Sequence, residues 1–236
     1  MNFPCKGMLP VMMIAAFMSA AWAEKPIDEQ VAGSSDEAGL MTIYAEARQH
    51  PATQRIFLRA LSENSARNPW YKQSMRLKQN VREALNNSDP LVLSEAIKAA
   101  GAMKIENVQD RLMEIFENAG ARYGADEVQV QTAAVKAMIQ LQPDNLGAQL
   151  CGLLEQRLRY PLESTFLAIL QGLAEHADAS CKETIAKARS VLNTMKKAAP
   201  DDPAIAQACN EYLAAVSLVE VQISHLEKGD AHETSH

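Results

Sequence analysis

The last five residues, His232-Glu233-Thr234-Ser235-His236, match the H-E-x-x-H pattern of zinc proteases. That chemistry needs both imidazoles on one turn of a buried helix, a third ligand, and a glutamate over a metal-bound water. Here the run lies in a polar stretch, Lys228 to His236, with nothing to wall off water. It is read as a disordered tail, with adventitious metal contact by His225, His232 and His236 as the alternative. No resident metal and no cofactor are expected. His50 and His176 fall near helix ends, where an imidazole meets the last carbonyls. The sequence holds no glycine-rich phosphate loop, G-x-S-x-G elbow or paired-cysteine zinc pattern. No catalytic residue is assigned, although scattered catalytic groups stay open.

Three cysteines follow the N-terminal segment: Cys151, Cys181 and Cys209. Each sits on an apolar helical stripe. Cys181 aligns with Ile185, Ala188 and Leu192, and Cys209 with Ile205, Tyr212 and Val216. Two readings are open: small buried hydrophobes, or a Cys181–Cys209 disulfide between neighbouring helices. The odd count leaves at least one thiol unpaired within the chain.

The charge is uneven. From Arg48 to Arg82 there are eight basic residues and one acid, Glu63, whereas everything after Arg82 is acidic on balance. Within that segment Arg55 and Arg59 are one helical turn apart, as are Lys72 and Arg76, and Lys78 and Arg82. Like charges at this spacing repel by a few tenths of a kcal/mol per pair unless an anion lies between them. With Trp70 as an anchor, these residues form the candidate binding set. The occupant would be an acidic protein, an anionic lipid or a phosphorylated glycan. The plainer reading is a solvated face balanced by Glu24, Asp28, Glu29, Asp36 and Glu37. A formal net charge of −6 argues against nucleic acid.

Stepping along the chain, Lys6, the apolar run Met8–Ala20 and the small residues around Ala21-Trp22-Ala23 have the order of a secretory signal, cleaved between Ala23 and Glu24. Periplasmic or secreted localisation follows, with no transmembrane segment expected in the mature chain. Residues 24–36 are read as a flexible leader, 37–87 as N-terminal helices, and 88–227 as repeats with a capping helix. Pro69 is expected to open one helix with the stripe Trp70, Leu77, Val81 and Ala84. The last helix is expected to end near Leu226 with a polar face outward. Outward charges on the second helices change sign along the array: Asp110, Glu114 and Glu117, then Glu155 with Arg157, then Lys182, Lys187 and Arg189. If they share one groove, it is polarised.

Ile97 and Met103 recur as Val135 and Leu141, then as Leu167 and Leu173. This is the span of one helix pair, which cannot bury its apolar face without a neighbour. Asp89-Pro90 before the helix, and Glu95-Ala96-Ile97-x-Ala99-x-Gly101 within it, resemble a HEAT repeat of the short bacterial PBS-lyase type. The resemblance is clearest over Ser88–Phe116, with Leu112 and Phe116 closing the core, and extends more loosely to about Met195. It implies an all-α, right-handed α-α superhelix of about four helix pairs. It also implies a non-catalytic scaffold or adaptor that holds a protein partner, here in the cell envelope, on a concave face made by second helices. An enzyme accessory presenting a glycan or cofactor, or a holdase chaperone, is the alternative.

Overall fold

The computed structural model describes residues 25–233, with side chains as far as Glu227. The expected cleavage residues Ala23 and Glu24, and His236 of the H-E-x-x-H run, lie outside the described residues, and the side chain of His232 lies beyond the side-chain limit. The described residues are all-helical, without a strand. In order they form α1 (Ile27–Gly33), α2 (Glu37–Ala47), α3 (Pro51–Asn64), a 3₁₀ turn (Pro69–Lys72) and α4 (Met75–Ala84). Then come α5 (Pro90–Ala102), α6 (Gln109–Tyr123), α7 (Glu127–Leu141) and α8 (Leu146–Arg157). The chain ends with α9 (Ser164–His176), a 3₁₀ turn (Ala179–Cys181), α10 (Lys182–Ala198) and α11 (Pro203–Glu233).

Local chemistry sets these boundaries. Asp89 Oδ1 accepts from the N–H groups of Leu91 and Val92 at 2.9 and 3.1 Å, and Pro90 occupies the first turn. At the other end of α5, the Ile105 N–H donates to Ala100 and the Lys104 N–H to Gly101, with Lys104 left-handed at φ 51°. Buried Ile105 closes this reversal against the core.

Two layers result. The odd-numbered helices form a row in which each packs against the next, from α1 to α11. The even-numbered helices lie against this row and pack chiefly on the odd helix that follows them: α4 on α5, α6 on α7, α8 on α9 and α10 on α11. Small residues permit the closeness of the row. A Cβ on Gly101 would stand 2.9 Å from the Ala137 Cα, so α5 and α7 meet almost backbone to backbone. Gly101 therefore admits the first helix of the next copy rather than its own partner α6. Helix α5 is enclosed so completely that Val92 through Ile97 are all buried while Lys98 stays exposed.

One charge is enclosed with the core. Arg157 is only 8% exposed at its side chain and holds Glu127 at 2.7 Å and Glu163 at 3.7 Å. Its guanidinium also lies 5.5 Å from the Phe116 ring centre and 5.8 Å from that of Tyr160. It thus joins α6, α7, α8 and the turn into α9. Beside it, Gln131 Nε2 donates to the Phe116 carbonyl at 3.0 Å. The sequence reading had placed Arg157 outward.

Other expectations are corrected. The leader is not flexible throughout: α1 forms within it, because Val31 is fully buried and Tyr71 Oη donates to its carbonyl at 3.0 Å. The helix expected from Pro69 is broken by Ser74, whose Oγ accepts from the Leu77 N–H at 3.1 Å and starts α4 afresh. In α9 the buried stripe is Phe166, Ile169, Leu170 and Leu173, with Leu167 only half-buried, so the third copy is off register. Helix α11 continues through the expected tail to Glu233, since hydrogen bonding propagates where no proline intervenes. Its outer face is not polar throughout, as Leu218 and Val221 are 62% and 56% exposed.

Two stability measurements follow. Gly101→Val should lower unfolding free energy by about 1–3 kcal/mol in urea melts, the cost of overpacking a filled contact. Arg157→Met should cost about 3 kcal/mol, the low end for removing one member of a buried pair, because Glu127 and Glu163 keep 31% and 30% exposure. Arg157→Lys should recover under half of that loss, lacking the planar fork that spans carboxylates and rings together.

Candidate binding surface

The structure divides the candidate basic set between the layers. Arg55 and Arg59 ride on α3, in the row, whereas Arg76, Lys78 and Arg82 ride on α4 in the second layer. Lys72 belongs to the preceding 3₁₀ turn, so the helical spacing expected between Lys72 and Arg76 does not exist. On α4, Lys78 and Arg82 lie on one flank and Arg76 on the other, because buried Leu77 and Val81 separate them. Arg82 is in part structural: its guanidinium donates to the Glu106 carbonyl at 3.3 Å, across the turn after α5. Trp70 is half-buried edge-on against Tyr71, with ring centres 4.6 Å apart, and packs on the core. Among the described residues, Asp28, Glu29, Asp36 and Glu37 form no ion pair with this set. Glu37 instead accepts from Ser74 Oγ at 2.7 Å. Among the described residues, none of the seven forms an ion pair.

Most of the second-helix charges are paired, Asp110 and Glu117 being the exceptions among the described residues. Glu114 takes Arg111 at 2.7 Å, and this guanidinium holds the Glu114 carboxyl below its ordinary range. Lys187 lies between Glu183 at 2.9 Å and Glu155 at 3.3 Å, which hold its ammonium above the ordinary lysine value. Lys182 meets Glu227 at 2.8 Å, and Arg189 grips Glu220 with both Nε and a terminal nitrogen. Exposed pairs of this kind contribute little to stability, yet they leave little charge free to attract a partner.

A concavity lies on the face of the odd-helix row. A cleft of about 790 Å³ crosses α3, α5, α7 and the start of α9. Ala133 and Ala137 on α7 form a low floor, while Ser62, Lys98, Gln129, Lys136, Gln140 and Ser164 supply polar walls. Thr132 Oγ1 binds Ser164 Oγ at 3.0 Å and Thr165 Oγ1 at 2.9 Å, joining α7 to α9 at one end. Lys98 is partly neutralised by Glu95, 2.9 Å from it, whose second carboxylate oxygen is buried without a partner. Lys136 is exposed and has no carboxylate partner among the described residues. On α3, half-buried Arg55 and exposed Arg59 share the helical stripe of Ser62, which lines the cleft; the arginines themselves are outside its lining.

Sequence reasoning found Arg55 and Arg59 but missed Lys98 and Lys136. Their only sequence signal is a lone cation on an otherwise apolar first helix in two successive copies. The cleft can offer cationic and hydrogen-bonding groups to an extended or polyhydroxylated ligand. Among the described residues, no three His, Cys, Asp or Glu side chains are grouped to hold a metal ion.

The three cysteines are buried free thiols. Cys181 meets Cys151, and burial followed by the Cys151 contact pushes its thiol up to about 12; Cys209, the other partner considered for it, lies toward the far end of α10, where Lys196 meets Asn210. Among the described residues no helix is long and apolar enough to cross a membrane. No family model, curated protein or solved structure matches the chain.

Proposed function

We propose that the chain is an exported scaffold or adaptor of the cell envelope that holds an extended acidic segment of a protein partner in the cleft along the odd-helix row. The observation that carries this reading is a groove across four successive row helices, with Lys136 in its wall and Arg55 and Arg59 on the helical stripe of Ser62, and with no carboxylate among the described residues paired to these three. Arg55, Arg59 and Lys136 are the attracting charges, and Lys98 becomes available as an incoming carboxylate competes with Glu95. Serine, threonine and amide groups supply backbone hydrogen bonds to an extended peptide. Export, to the periplasm or beyond, rests on the order of residues 1–23.

A HEAT-like superhelix accounts for the layering. The row packs more closely than the splayed second layer, so a stack of such pairs curves toward the row and makes it the concave side. Row helices are the first members of the pairs as the sequence divides them, so this site lies on the layer opposite the second helices expected to bind. The holdase alternative loses weight, because exposed large apolar side chains are scattered over α4, Tyr160 and α11 rather than gathered in a groove. A second reading keeps the site and changes the ligand. The cleft volume falls within the range of small-molecule sites, and its hydroxyl and amide lining suits a glycan.

Capture from native envelope extract separates these readings. A discrete partner should be retained by the native chain and weakened at least about tenfold, or 1.4 kcal/mol, by combined Arg55→Glu, Arg59→Glu and Lys136→Glu. Reversal of Arg76 and Lys78 should leave capture unchanged. Loss only on reversing the α4 charges would move the site to the second layer. Retention by both variants would sink the charge-based site, and binding of glycan without any protein would favour the second reading.

A further inference from the structure

Cys151 lies on the buried side of α8, and Cys181 ends the short turn between α9 and α10. Cys181 Sγ is 3.7 Å from the Gly147 carbonyl, one helical turn before Cys151, and its other thiol contact is Cys151 itself. Backbone packing holds this approach. A Cβ on Gly147 would collide with the His176 carbonyl oxygen and stand 3.1 Å from Asp178 Cβ, so the turn is pressed onto α8. Asp178 Oδ1 accepts from the Ser180 N–H at 2.8 Å and fixes the turn one residue before Cys181.

We propose that Cys151 and Cys181 are a disulfide-forming pair that staples α8 to the turn leading into α10, leaving Cys209 as a buried free thiol. The bridge would join the second-layer helices α8 and α10, which touch each other far less than α10 touches α11.

The oxidant is a disulfide, either a small molecule or a thiol–disulfide oxidoreductase. The thiolate of one cysteine attacks an oxidant sulfur, forming a mixed disulfide and expelling the first oxidant thiolate. The second cysteine thiolate then attacks the protein sulfur of that mixed disulfide, closing the Cys151–Cys181 bond and expelling the second oxidant thiolate. Two protons leave the cysteines and end on the two released thiols, while two electrons pass to the oxidant. Burial keeps the folded Cys181 protonated at neutral pH, so exchange belongs to the folding or transiently opened chain. Once closed, the bond is shielded by the same burial.

The test uses the full chain with Cys5→Ser, so that three cysteines remain. It is refolded in a mixture of reduced and oxidised glutathione, quenched with N-ethylmaleimide and mapped by non-reducing proteolysis and mass spectrometry. The expected result is one cross-linked peptide pair, Cys151–Cys181, with a mass about 2 Da below the sum of its two reduced peptides. Cys209 should take maleimide only after unfolding. The oxidised chain should melt about 5–10 °C above its reduced form. This shift should persist in Cys209→Ser and vanish in Cys151→Ser and in Cys181→Ser. A cross-link to Cys209, or three alkylated thiols after oxidative refolding, would overturn the pairing. Neither outcome bears on partner capture by the cleft, which is read without reference to thiol state.

Discussion

The near-contact of α5 and α7 at Gly101 and Ala137 is the constraint on which the rest of the architecture depends. Two helices approach this closely only where one of them has no side chain to keep them apart. Closeness there enclosed α5 on several sides and left Lys98 as its outward residue. It also gave the cleft its shape. The alanines of α7 keep the floor low, and the long side chains of Lys98, Gln129, Lys136 and Gln140 rise around it. Larger residues at the floor would fill the groove, and a larger residue at Gly101 would push the two walls apart. Packing and candidate binding surface therefore have one origin.

Arg157 is the polar counterpart of that apolar contact. Two carboxylates and two aromatic rings converge on one guanidinium, from helices that otherwise meet through alanine and leucine. Only arginine combines a planar fork with faces that stack. Most other ion pairs of the molecule lie on the second layer and are open to water. They act there mainly by cancelling charge. The electrostatic result is a molecule of net negative charge in which Arg55, Arg59 and Lys136 on the row helices, and Lys72, Arg76 and Lys78 on and before α4, are among the cations without an ion pair in the described residues.

Individual residues show what could be read from the chain. The stripe Leu40, Ile43, Tyr44 and Ala47 is the buried face of α2, because a 3.6-residue period records which side of a helix avoids water. Asp89-Pro90 marked the start of α5 through cap chemistry that is local to three residues. Ser74 was missed although it is an equally good cap, since the apolar spacing of Trp70 and Leu77 ran across it and Pro69 offered a competing start. Helix α1 was missed because its main reward, burial of Val31 under Tyr71, comes from a residue 40 positions away. At the candidate site, Arg55 and Arg59 stood out as a cluster in sequence. Lys98 and Lys136 did not, as each is alone on its own helix and they meet only across the cleft.

The sequence by itself determined the all-helical class, the main helical segments and their buried faces, because helix period, caps and breakers act within a few residues. Tertiary structure alone decided that each second-layer helix packs on the row helix that follows it, that Arg157 is enclosed while Lys136 has no carboxylate partner among the described residues, and that Cys181 meets Cys151. An apolar stripe states that a face must be covered, whatever covers it. The identity of the covering helix depends on volumes and charges about 30 or more residues distant, which only the folded chain brings together.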